Sequence, residues 1–176
     1  MSGSAVTKVI QPYTAQRITL TSSKPIKEVL ALLDLEVNRK GTGLQVLKLL
    51  STVENRKELE EGMHKMTEGT REFVLFTAGS HSRWLNAYFE GERTFPETHV
   101  YTIGNPLVAQ TLLQHDIGAG LHIPPKIMIQ EIEGGGGTRI VYDSFSSAIS
   151  IGKSEDLRKA AEALDDKLET LARKVL

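Results

Sequence analysis

The chain has 176 residues, 40% of them hydrophobic and 24% charged, with 21 Lys and Arg against 22 Asp and Glu and no cysteine. That length suits one ordinary domain burying roughly 70% of its unfolded surface, which excludes two large domains, and the composition excludes disordered, collagen-like and membrane chains. A formal charge of −1 gives no long-range pull toward nucleic acid or anionic membranes, and without cysteine oxygen and nitrogen groups must carry any chemistry.

Residues 1–14 read as an extended arm with a single Lys8 and no apolar run long enough for a signal peptide. No uncharged apolar stretch of about 18 residues follows, so a cytoplasmic protein with no membrane partner is expected. The first periodic segment, Arg17 to Thr21, puts Ile18 and Leu20 on one face, the alternation of a half-buried strand. A helix is expected next. Ser22 or Ser23 can cap it, Pro25 suits its first turn, Ile26, Val29, Leu30, Leu33 and Val37 recur at helical spacing, and Gly41 and Gly43 would end it.

Between Leu44 and Gly69 two shorter helices are predicted, broken near Thr52 and Val53, as a helical insert with a solvated face of Glu54, Lys57, Glu58, Glu60 and Glu61. From Phe73 the texture turns to short aromatic and β-branched runs, Phe73 to Phe76, Trp84 to Phe89 and Val100 to Ile103, which read as strands, although Trp84 to Phe89 also fits a helix. Pro106 opens a short helix through Leu113, His115 and Asp116 read as its termination, and Lys126 to Ile132 with Thr138 to Tyr142 form a hairpin around four glycines, 134–137. The last helix is the clearest: after Ser154 as cap, Leu157, Ala160, Ala161, Leu164, Leu168, Leu171 and Val175 make one stripe, with Asp156, Lys159, Asp165 and Lys167 opposite. These elements add up to one α+β domain over residues 1–176, with a sheet, helices against it and a long C-terminal helix.

The segment Tyr101-Thr102-Ile103-Gly104-Asn105-Pro106 combines a strand end, a glycine permitting close backbone approach, an Asn cap and a proline at the first helical position. The free N–H groups of such a helix start suit a carboxylate, phosphate or enolate oxygen; a purely structural cap is the plainer reading. The run HVYTIGNPLVAQTLLQHDIGAGLHIPPKIMIQE and the later DSFSS resemble the family called domain of unknown function 302, whose hallmark is a Gly-Asn-Pro turn, a short helix, a proline step and a buried strand. The resemblance covers residues 99–147, with Ser80 to Leu85 as the counterpart of a His-containing segment, and the chain looks more like the longer fungal members. It implies a TATA-binding-protein-like fold, a curved antiparallel sheet packed against helices on one side. Fold alone implies no activity.

The five histidines include no pair at metal-ligand spacing on a helix, so no metal and no cofactor are expected. His81, beside Ser80, Ser82, Arg83 and Trp84, is the candidate proton carrier. Ser146 and Ser147 lack a nucleophile elbow, and Gly152-Lys153-Ser154 lacks the first glycine of a phosphate loop. The leading reading is a pocket between sheet and helices for a small, partly apolar molecule, with His81, Arg83, Tyr101, Thr102 and Asn105 as polar contacts and Trp84 and Tyr88 as wall. One alternative is a cofactor-free isomerase or lyase in which His81 moves a proton and the turn at Asn105 stabilises an oxyanion. The other is an interaction protein without a ligand, and a symmetric homodimer is expected because an open sheet leaves edges to cover. Convergence of His81 and Asn105 would favour catalysis, and an open pocket with the two apart would favour binding.

Overall fold

A computed structural model of the chain describes residues 5–149 and 154–176. Five strands, β1 (Arg17–Ser22), β2 (Val74–Ser80), β3 (Thr98–Gly104), β4 (Lys126–Glu131) and β5 (Thr138–Asp143), form one antiparallel sheet in the order β1-β5-β4-β3-β2. Helix α1 (Ile26–Glu36) and the long α7 (Glu155–Val175) cover one face, where Val29 and Leu33 of α1 and Leu157, Leu164 and Leu168 of α7 are buried with Tyr101, Ile103, Ile127, Ile129 and Ile140 of the sheet. The α+β class and the terminal helix are as the periodicity predicts, and Ser154 caps α7 by accepting from the Leu157 N–H. Gly152 and Lys153 of the phosphate-loop string lie outside the described residues.

Two further helices, α2 (Leu44–Thr52) and α3 (Arg56–Thr67), bury Val46 and Met63 against Val74 in a second, smaller apolar cluster. The side-chain alternation of β2 changes at Phe76. Leu75 stands opposite Ile103 while Thr77 stands opposite Thr102, so Phe76 is the extra residue of a β-bulge. Before the bulge Leu75 faces the α1–α7 core; after it Ala78 and Ser80 face that side, opposite Tyr101 and His99. The outer edge of β2 is partly covered, since the Leu75 N–H donates to the Val37 carbonyl and the Gly43 N–H donates to that of Leu75.

Three local readings are corrected. Trp84 to Phe89 is helical, not extended: α4 spans His81–Tyr88, capped by Ser80, whose hydroxyl accepts from the Arg83 N–H. Helix α1 ends at Glu36, well before Gly41, because Val37 to Gly43 serve as backbone partners for β2. Its start has no side-chain cap either; the Ser22 hydroxyl instead donates to the Leu176 carbonyl and accepts from the Lys24 N–H. Of the four hairpin glycines, Gly137 is sterically obligatory, with φ of +100° and a position where a Cβ would lie 2.0 Å from the Ser22 carbonyl oxygen.

The largest departure from the sequence reading is Asp165. Placed among the solvated residues of the last helix by its spacing, it accepts hydrogen bonds from the Ser144 hydroxyl (2.8 Å), the Phe145 N–H (2.7 Å) and the Ser146 hydroxyl and N–H (2.6 and 3.1 Å). It thereby caps the short α6 (Phe145–Ile149) from another helix and holds α6 to α7. The DSFSS run is thus a docking segment: Phe145 enters the core and Ser144 and Ser146 hold the carboxylate. Removing this acceptor leaves two N–H groups and two hydroxyls without it, so Asp165→Ala should cost roughly 2–4 kcal/mol in urea denaturation. A wild-type midpoint would show that α6 docks without it.

Nearby, burial pushes the Tyr142 phenol up to about 12, with the Glu169 and Asp165 carboxylates adding to the shift. A phenol with its folded value raised favours folding fully below its ordinary value of 10.0 and loses that contribution as pH climbs to about 12. The urea midpoint should therefore fall between pH 10 and 12, and fall less in Tyr142→Phe. Equal falls in the two proteins would remove Tyr142 as a cause.

Candidate functional site

The Gly-Asn-Pro turn joins β3 to α5 (Pro106–Leu113) and each of its residues has a physical task. A Cβ on Gly104 would lie 2.9 Å from Pro124 Cβ and 3.3 Å from Phe76 Cε2, so glycine lets the strand end pass beneath both rings. Asn105 accepts from the Leu107 N–H at 2.9 Å and donates from Nδ2 to the Glu72 carbonyl at 3.1 Å, which uses both ends of its amide. Pro106 has no N–H, and the Val108 and Ala109 N–H groups both reach the Asn105 carbonyl. The helix start therefore offers no free backbone donor, and the carboxylate or enolate oxygen expected there finds nothing to bind.

What the turn does build is a groove of about 510 Å3 between α2 and α5. Leu50, Phe76, Ala109, Leu113, Ile123 and Pro124 supply its apolar surface, and no charged residue lines it. Gln110 and Gln114 are its polar handles. Each donates its Nε2 back to its own helix, to the Leu107 and Thr111 carbonyls, which leaves Oε1 to accept.

A second cavity, about 580 Å3, opens at the other end of the β2–β3 pair beneath α4. Helix α4 is fixed there by Ser82, whose buried hydroxyl accepts from the Thr98 N–H at 3.0 Å, and by Asn86, which accepts from the Phe95 N–H at 2.8 Å. Arg83 and Trp84 form one wall of this cleft, Ala78, Ser80 and His99 the sheet side, and Arg39 the rim. Beside it, Arg39 Nη1 donates to the Tyr101 hydroxyl (2.9 Å) and Asp34 (3.1 Å), and Tyr101 donates to Asp34 at 2.7 Å. Burial, then the hydrogen bond to Asp34, pushes the Tyr101 phenol well above the usual tyrosine range, so it stays a neutral donor.

The predicted site residues are thus distributed over two places. Arg83 and Trp84 share the α4 cleft, Tyr101 lies beside it with its hydroxyl engaged, and Asn105 borders the α5 groove. His81 and Tyr88 are exposed on α4, and Thr102 faces away from the core beside Lys126; these three line neither cavity. His81 follows β2 where Ser80 pairs with His99, while Asn105 follows β3 where Gly104 pairs with Val74, which separates them by roughly 17 Å of strand. The two groups of the acid–base alternative do not converge. Arg39, Leu50, Phe76, Gln110, Gln114 and Pro124 join these cavities without any local sequence signal, because they come together from several separate segments of the chain. Among the described residues no three His, Asp or Glu side chains group as a metal site, and no helix is long and apolar enough to cross a membrane.

The match to a family model, domain of unknown function DUF302, spans residues 51–175, more than half of the chain. The chain belongs to the DUF302 family. The structure is similar to the crystal structure of an uncharacterized conserved DUF302 protein from Bacillus stearothermophilus, with a TM-score of 0.62 at 14% identity, covering 91% of this chain and 98% of that one. At that identity the likeness concerns the fold. A search of curated proteins found no match.

Within the DUF302 turn, the crowding that a Cβ at position 104 would meet has a direct test. Gly104→Ala should destabilise the protein by about 1–3 kcal/mol, because Phe76 and Pro124 must both move. A denaturation midpoint equal to wild type would mean that the two rings give way freely.

Proposed function

We propose that this DUF302 protein binds a small, neutral, largely apolar molecule in the groove between α2 and α5. The observation that carries the reading is a cavity of about 510 Å3 walled by Leu50, Phe76, Leu113, Ile123 and Pro124 with no ionisable residue on its lining. That volume falls within the roughly 300–1,000 Å3 typical of ligand pockets, and mostly apolar walls with a few polar groups are the usual composition. The acceptor oxygens of Gln110 and Gln114 favour a ligand that carries a hydroxyl or N–H on an otherwise apolar body. An anion is disfavoured on two counts. It would lose its hydration, and the start of α5 has its donors engaged.

Ala109 is half-buried on the α5 wall and its side chain can be enlarged into the groove. The neutral dye N-phenyl-1-naphthylamine should gain fluorescence saturably with the wild type and lose that gain with Ala109→Phe, while the thermal midpoint of the variant stays close to wild type. Unchanged dye binding by a folded Ala109→Phe, or none by the wild type, would overturn the assignment.

A further inference from the structure

The two cavities differ in kind. Where the α5 groove carries no charge, the α4 cleft is lined by Arg39, Arg83 and His99 and by no carboxylate. Arg39 is held by Asp34 and Tyr101 through Nη1 alone, and its other guanidinium nitrogens make no hydrogen bond among the described residues. The Arg83 guanidinium has neither a hydrogen bond nor an ion pair among the described residues, although eleven ion pairs among those residues join Lys or Arg to Asp or Glu. His99 is held through Nε2 by Glu97 at 3.1 Å. Between these groups the cleft surface is apolar and flat: Trp84, 57% exposed, on the helix, Ala78 and Gly79 on the sheet.

We propose that the α4 cleft is a second binding site, for a small aromatic carboxylate, with the carboxylate on Arg83 and Arg39 and the ring against Trp84. Guanidinium groups fork onto carboxylates with two parallel hydrogen bonds, and an indole face accepts a planar ring in offset or edge-on contact. A volume of about 580 Å3 exceeds what a bare oxyanion fills, and the apolar floor gives a hydrated inorganic ion nothing in return for its water. Arg39 is pre-positioned, because Asp34 and Tyr101 fix its guanidinium from the core side, whereas Arg83 on the helix is the adaptable arm. The site is independent of the α5 groove, which lies at the opposite end of the β2–β3 pair.

Trp84 is the single tryptophan of the chain, so one indole N–H resonance reports on the cleft without assignment. Benzoate, added at constant ionic strength to 15N-labelled protein, should move that resonance saturably. Benzamide, the same ring without charge, and inorganic phosphate, charge without a ring, should not. Arg83→Gln should weaken benzoate binding by about tenfold or more, the loss of one charge-assisted contact, and Arg83→Lys should recover part of it. Ala109→Phe should bind benzoate as the wild type does, which keeps the outcome separate from that of the α5 groove. The proposal is overturned if benzoate leaves the indole resonance in place, if benzamide or phosphate titrates it equally well, or if Arg83→Gln binds benzoate like the wild type.

Discussion

The first two strands of the chain form opposite edges of the sheet, and most of the architecture follows from that separation. Four inter-strand gaps, about 19 Å, must be crossed between the end of β1 and the start of β2. Helix α1, eleven residues and so about 16 Å long, makes most of that crossing over the core face, touching β4 on its way. Its apolar stripe is buried because it has to travel across the sheet. The turn after it then runs beside β2 and lends that edge two backbone partners, Val37 and Gly43. The crossing also delivers Asp34 and Arg39 to Tyr101, so the polar support of the α4 cleft is a by-product of topology.

With α1 laid across the sheet, the rest of that face falls to α7, which fills it with Leu157, Leu164, Leu168 and Val175. A hydrophobic stripe alone does not fix a helix along its axis. Asp165 supplies that constraint by taking four hydrogen bonds from the start of α6, a directional contact where leucines give only adhesion. At the C-terminal end the same helix is held by Ser22 and Lys24, which donate to the Leu176 and Val175 carbonyls. Both ends of the sheet stay accessible between these fixed points, and that is where the two cavities open.

Legibility in the sequence followed the range of the interactions. The α7 stripe and the caps at Ser154 and Asn105 were readable because every participant lies within one helix or one turn. Trp84 to Phe89 was not, since a run of six residues fits both periods and the deciding contacts, Ser82 to Thr98 and Asn86 to Phe95, reach 16 and 9 residues away. Asp165 was misread for a related reason: on its own helix it occupies a polar position, and only the serines about 20 residues upstream reveal its use. The Gly-Asn-Pro turn was found as a helix start, but the reason for its glycine sits at Pro124 and Phe76, on two other segments. Candidate residues around that turn and around His81 therefore belong to two separate cavities and not to one.

The bulge at Phe76 marks the boundary between the two cavities along one strand. Because that strand carries one residue more than its partner, Phe76 turns outward to wall the α5 groove, and from Ala78 onward the side chains rotate inward to floor the α4 cleft. Deleting Phe76 would restore a regular alternation with Leu75 still opposite Ile103 and Ala78 still opposite Tyr101, so it would strip the α5 groove of its aromatic ring and leave the sheet side of the α4 cleft in place. Loss of the extra residue consequently acts on the α5 groove alone, and changes of side chain can alter either cavity by itself. A relative that lacks the extra residue should therefore keep the sheet side of the α4 cleft and lose the aromatic wall of the α5 groove.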